Sequence, residues 1–145
     1  VGRALVPVLA TVGFRVVMYD NREELAKREN YPMASEVIFG SFSDISGKVA
    51  LTANDYAVVM TPGHQADYEI LSQVLKSSAT YIGCIRTKVA KTRERLKGDG
   101  YTEEDIARVH APIGLPILAE TPEEIAISIA AEMIEHRARL AGQRH

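Results

Sequence analysis

Tyr56-Ala57-Val58-Val59-Met60-Thr61-Pro62-Gly63-His64 is the stretch of this 145-residue chain that decides its class. The first five residues form an unbroken apolar run of β-branched and aromatic types, which suits a strand covered on both faces. They are expected to form a buried, interior strand. Thr61-Pro62-Gly63-His64 then breaks the run and opens a helix over 65–76. A strand that feeds directly into a helix is half of a βαβ unit, and the rest of the chain repeats the pattern. Toward the C-terminus, a strand over 80–82 reaches Gly83. A charged helix follows over 87–97, closed by Gly98 and Gly100. Thr102 caps a short helix through Val109, and a long helix occupies 122–141. Toward the N-terminus, a short strand over 36–39 ends at Gly40, and a strand over 14–19 closes on Asp20. A helix over 3–12 comes first, with Pro7 predicting a kink or a late start and Gly13 its end. Residues 41–54 are weakly patterned and read as loop with room for one helical turn.

Strands alternating with helices at short spacing predict an α/β, three-layer domain with a parallel sheet and helices on both faces. No repeat, low-complexity tract or linker divides residues 1–145, so a single domain is expected. The chain opens on Val1-Gly2 and enters a helix at once. An α/β domain normally opens on a strand, so the first strand is expected to be missing and the domain to belong to a longer protein.

Composition excludes several classes. A formal net charge of -2 leaves no electrostatic footprint for nucleic acid. The single cysteine, Cys84, allows neither an intrachain disulfide nor a Cys-based zinc site within one chain, and it suits a reducing compartment. No apolar run approaches the roughly 20 residues that span a bilayer. With no signal peptide evident, the expected location is cytoplasmic.

In a parallel α/β fold, ligands bind outside the carboxyl ends of the strands. Gly2 opens the first helix, where a dinucleotide fold places the last glycine of its phosphate-binding turn. Asp20 ends the next strand about where the ribose-binding acid stands in such folds. The bland alternative is a terminal glycine and an aspartate that starts a turn toward Asn21-Arg22. Thr61, Gly63 and His64 follow the strongest strand at the start of a helix, whose free N–H groups and dipole favour an anion. His64 and Asp67, three apart, are close enough to touch, although Asp67 also simply favours a helix start. Gly83-Cys84-Ile85-Arg86-Thr87-Lys88 forms the next loop, where Thr87 can cap a helix and Arg86 and Lys88 can face a phosphate. Lys91, Arg93 and Arg95 read better as a solvated helix face, and Cys84 as a buried small hydrophobe.

The last third carries the most specific pattern. His110-Ala111-Pro112-Ile113-Gly114-Leu115 is a loop held by Pro112 and Pro116. Gly114 is free there to take a positive φ or to admit a ligand to the backbone. Thr121, Pro122 and Glu124 then supply an N-cap, a first helical proline and the third position of a capping box. Helix physics accounts for the second piece and leaves the loop unexplained.

Seven pieces stand in one order along the chain: Gly13-Phe14 with Val17 and Asp20-Asn21-Arg22-Glu23; Tyr31-Pro32 with Glu36-Val37; Val59-Met60-Thr61 with Gly63-His64 and Asp67-Tyr68; Tyr81-Ile82-Gly83; the basic helix; the Ala-Pro-Ile-Gly-Leu loop; and the Thr-Pro-Glu-Glu-Ile-Ala helix start. Together they resemble the Rossmann domain of the xanthine dehydrogenase accessory family, chaperones that handle molybdenum cofactor. Two departures stand out: the strand and Gly-x-Gly-His segment that the family carries before Val1 are absent, and Ile85 meets Arg86 without the usual Gly-Ser. The resemblance implies a C-terminal Rossmann-like domain that is non-catalytic and binds, protects and inserts molybdenum cofactor (molybdopterin) into a molybdenum hydroxylase such as xanthine dehydrogenase. It further implies a homodimer and a cysteine desulfurase as a partner.

The cofactor-binding set expected at the strand ends is Gly2, Asp20, Thr61, Gly63, His64, Gly83, Thr87, Lys88 and Gly114, with no catalytic residue and no metal ligand. Gly2, Asp20, Gly63, His64 and Gly83 are expected on one rim of the sheet. Two competing readings remain open: an NAD(P)-dependent oxidoreductase domain using Gly2 and Asp20, and an assembly module that dimerises through its helices without a small ligand.

Overall fold

The computed structural model describes residues 1–61, 63–85 and 89–143, the side chain of Gln143 excepted. Two of the expected site residues, Thr87 and Lys88, and the Ile85–Arg86 junction therefore lie outside the described residues. The chain forms two compact units, Val1–Ser41 with Gly114–His145, and Phe42–Ile113.

In the first unit, helix α1 (Gly2–Thr11) starts at Val1, whose carbonyl accepts from Ala4 N at 3.1 Å and Leu5 N at 2.8 Å. It begins well before Pro7, which lies inside it, so the expected late start is not found. Leu5, Val6 and Leu9 form its buried face and pack on helix α6 (Pro122–Gln143). That helix answers with Ala126, Ile129, Ala130 and Met133, the i, i+3, i+4, i+7 stripe of a helix with one buried face. Arg137 of α6 lies over the Phe14 ring and donates to Val12 O at 2.9 Å, satisfying a carbonyl just past the end of α1. Strand β1 (Val17–Asp20) starts later than expected, because Phe14 N still donates to Leu9 O and the chain is closing its helix there. It pairs in parallel with β2 (Glu36–Phe39), in register from Val17↔Glu36 to Asp20↔Phe39.

In the second unit, a 3-10 turn (Phe42–Asp44) runs into the four-residue helix α2 (Ile45–Lys48), filling the room left for one helical turn. Strands β3 (Tyr56–Val59), β4 (Tyr81–Cys84) and β5 (Val109–His110) form a parallel sheet in that order. All four residues of β4 are buried, whereas only Val59 is fully buried in β3. The expected interior strand over 56–60 is therefore corrected: β3 borders its sheet among the described residues and β4 is the interior strand. An apolar run reports cover above and below a strand, not its place in the lateral order. Strand β5 replaces the expected end of a helix at Val109. Helix α5 (Glu103–Ala107), started by a Thr102–Asp105 capping box, stops early. Arg108 then turns back to donate to the carbonyls of Leu75, Ser77 and Ala79 at 3.2, 3.4 and 2.8 Å. Helices α3 (His64–Val74) and α4 (Ala90–Gly98) complete the unit. The α/β class with parallel pairing and flanking helices is as expected; the strands are shared between a two-stranded and a three-stranded sheet. No helix among the described residues is long and apolar enough to cross a membrane.

Candidate functional site

The carboxyl ends of β3 and β4 gather the chemistry of the second unit. Helix α3 buries Asp67, Ile70, Leu71 and Val74, again spaced i, i+3, i+4, i+7, so its first buried position is a carboxylate. Asp67 is 1 % exposed. A polar group so placed is costly without partners. Thr61 Oγ1 donates to its Oδ1, and Cys84 Sγ lies 3.8 Å from its Oδ2. The same threonine hydroxyl is 2.9 Å from Gly63 O, and Asp67 N donates to that carbonyl at 3.1 Å. Val59 and Cys84 are register partners, and Ile85 N donates to Val59 O at 3.0 Å. The two strand ends and the helix start are thus tied through Thr61 and Asp67.

Gly63 is the N-cap of α3, with extended backbone (φ -138°, ψ 150°), and no side chain among the described residues caps the helix. The N–H groups of His64, Gln65 and Ala66 precede that of Asp67, which donates to Gly63 O, and a Cβ on Gly63 would meet no atom of the described residues within 4 Å. His64 is exposed in the first turn. The arrangement offers an anion the N–H donors of a first helical turn, the positive end of a helix dipole and an exposed imidazole. The sequence spacing offered His64 as a neighbour for Asp67; the aspartate instead faces Thr61 and Cys84. Its position on the apolar stripe was the signal that it points inward.

Gly83 lies inside β4 rather than beyond it. A Cβ there would come within 2.7 Å of Ile113 Cγ1, so this glycine makes room for the isoleucine of the Ala-Pro-Ile-Gly-Leu loop. Ile113 N in turn donates to Cys84 O at 3.0 Å.

In the first unit, Gly2 is the first residue of α1 and Asp20 the last of β1. Asp20 is mostly buried and already engaged: Arg22 Nε and its backbone N donate to Oδ1, and Arg22 Nη2 to Oδ2, all at 3.0 Å. Burial pushes the Asp20 carboxyl up, but the bonds and charge of Arg22 outweigh it and hold the group below its ordinary range. Gly114 adopts φ +104°, as its type allowed. A Cβ there would lie 3.2 Å from Ser128 Cβ, with the Ser128 hydroxyl closer still. Gly114 N donates to Glu132 at 3.0 Å, Leu115 N to Ser128 O at 3.2 Å, and Ser128 Oγ to Leu115 O at 2.7 Å. Packing on α6 thus accounts for the glycine of this loop. Gly2, Asp20 and Gly114 belong to one unit, and Thr61, Gly63, His64 and Gly83 to the other.

The family model of the XdhC Rossmann domain matches residues 1–133. The chain belongs to this family. It is 31% identical over 137 residues to a probable xanthine dehydrogenase subunit of Bacillus subtilis, covering 94% of this chain and 40% of that protein. It is 31% identical over 138 residues to the uncharacterized protein YqeB of Escherichia coli, covering 93% of this chain and 25% of that one. A crystal structure described as a xanthine dehydrogenase from Bacillus halodurans superposes with a TM-score of 0.82 at 32% identity, over 94% of this chain and 39% of that chain. The XdhC-family domain thus spans between a quarter and two fifths of the length of these relatives. The resemblance carried by the seven sequence pieces is borne out.

Proposed function

We propose that this XdhC-family domain is a non-catalytic module that binds and protects molybdenum cofactor and helps insert it into a xanthine dehydrogenase-type molybdenum hydroxylase. The observation that carries the reading is the family match across residues 1–133, which takes in every strand-end loop. The names of the Bacillus relatives support xanthine dehydrogenase as the system served. The donor set at α3 fits the group: a phosphate-bearing pterin needs N–H donors and positive potential, and the first turn at His64, Gln65 and Ala66 offers both. Thr61 holds the turn, His64 offers a polar edge, and Thr87 and Lys88, outside the described residues, are proposed from sequence to complete the cradle. When bound, the cofactor supplies the molybdenum centre that the hydroxylase uses. Action in the cytoplasm, a homodimer and a cysteine desulfurase partner belong to the same proposal.

A dinucleotide-binding oxidoreductase domain is the second reading, favoured by Asp20 at the carboxyl end of β1. It is weakened by Arg22, which already fills both carboxylate oxygens.

Thermal unfolding of the full-length protein, with molybdenum cofactor or NAD(P)H added separately under anaerobic conditions, tests the proposal. A ligand bound only by the folded state raises its stability. Stabilisation by the cofactor and not by NAD(P)H is expected; the reverse pattern refutes the proposal.

A further inference from the structure

We propose that Leu118 of one copy of this chain seats in the hollow between α4 and α5 of a second copy, which gives the homodimer a contact surface. The inference depends on neither the cofactor nor the hydroxylase. Leu118 is 93% exposed and held at φ +62°, a left-handed backbone that a leucine side chain disfavours. It does not sit in a loose loop, for the chain is tied to α6 on both sides of it. Leu115 N donates to Ser128 O at 3.2 Å and Ser128 Oγ to Leu115 O at 2.7 Å, while Glu120 N donates to Glu124 Oε1 at 2.8 Å. Ile117, and Ile127 next to the Ser128 tether, are 49% and 54% exposed. A fixed, strained and exposed leucine among apolar neighbours is unfavourable in an isolated chain and preorganised as an anchor for a partner. Its surroundings are acidic: residues 111–135 hold five glutamates and no lysine or arginine. Glu120 and Glu123 are both exposed.

The opposite character stands in the other unit. A hollow of about 400 Å³ has Ile106 and Ala107 of α5 and Val109 of β5 as its apolar lining and Arg93 and Lys97 of α4 as its cations. Glu94 and Glu103 also line it, but α4 as a whole carries four basic residues against one acidic. Lys97 is bonded to Glu103 at 2.8 Å, whereas Arg93 makes no side-chain hydrogen bond or ion pair among the described residues. An apolar projection edged by carboxylates and an apolar hollow edged by a guanidinium are complementary in shape and charge. Each lies wholly within one unit, so every copy of the chain brings both halves of the contact.

The test is sedimentation velocity of the full-length protein over a range of concentration, in low and in high salt, with the melting temperature of each variant measured where it is monomeric. The unaltered protein should self-associate, and more weakly in high salt, because the charged groups at the contact edge are exposed. Leu118→Gly removes the side chain and suits the left-handed backbone. It should raise the dissociation constant at least about tenfold without lowering the melting temperature. Arg93→Glu and Glu123→Arg should each weaken association about tenfold, and the double variant carrying both exchanges should recover it. A monomer at every concentration would overturn the proposal, as would association that Leu118→Gly leaves unchanged. A lowered melting temperature in monomeric Leu118→Gly would show that another segment of the full-length chain covers this leucine, and would overturn it too. So would a double exchange that fails to recover what the single exchanges lose. None of these outcomes bears on cofactor binding, so the two proposals fail separately.

Discussion

Asp20 shows how a single residue resists a reading taken from its position. Its place at a strand end is that of a ribose-binding acid, yet its oxygens are occupied by Arg22, two residues on. Because Arg22 holds the folded-state pKa below its unfolded value, the pair stabilises the fold above about pH 4 and loses that contribution as pH falls through the folded value. Asp20→Asn should cost about 1 kcal/mol at neutral pH, a modest figure because the Arg22 side chain is 52% exposed. In urea unfolding the difference between variant and wild type should shrink at pH 3; an undiminished gap there would refute the assignment. Glycines separate by the same residue-scale logic. Gly114, at φ +104° against Ser128, should lose about 1–3 kcal/mol as alanine. Gly63, extended and with no described atom where its Cβ would stand, should change stability by no more than about 0.5 kcal/mol as alanine. Denaturation midpoints of Gly114→Ala and Gly63→Ala check the pair, and equal losses would contradict it. The sequence supplied Gly114's freedom to take a positive φ; it held no sign of Ser128, 14 positions away, as the reason.

Among the elements, legibility followed the range of the forces involved. The start of α6 was readable because its signals are local. Glu124 N donates to Thr121 Oγ1 at 3.1 Å, while Glu124 Oε1 accepts from the backbone N–H groups of Thr121 at 3.0 Å and Glu120 at 2.8 Å. Those backbone bonds hold the Glu124 carboxyl below its ordinary range. Thr121→Ala should therefore cost about 1 kcal/mol in chemical denaturation, with Thr121→Ser close to wild type. A neutral Thr121→Ala would contradict the capping role. Strand β3 was legible as a strand and not as a border, because its neighbours are set by chain segments far away in sequence. Strand β5 has only two residues, too short for any period to mark it, and Arg108 ends the preceding helix through carbonyls some 30 residues upstream. Asp67 was recognised as a polar residue of the first turn, but its partners Thr61 and Cys84 are brought to it by the pairing of β3 with β4.

At the scale of the whole molecule, the order of the strand-end loops carried more information than any one of them, and it led to the XdhC family. The glycine-rich appearance of those loops proved to have two origins. Gly83 and Gly114 are accounted for by Ile113 and Ser128, whereas a Cβ on Gly63 would meet no atom of the described residues within 4 Å. The proposed function holds the cofactor at the start of α3 and at Lys88, rather than at Asp20. Its most direct test is anaerobic equilibrium binding of molybdenum cofactor to the full-length protein, comparing the double variant His64→Ala/Lys88→Ala with Asp20→Ala. Each lost charge-assisted bond should cost roughly 1.5–3 kcal/mol where the ligand desolvates the group. The double variant should therefore bind about tenfold or more weakly, and Asp20→Ala nearly as tightly as wild type. Unchanged cofactor affinity in the double variant, beside a large loss of NAD(P) affinity in Asp20→Ala, would contradict the account and favour the dinucleotide reading.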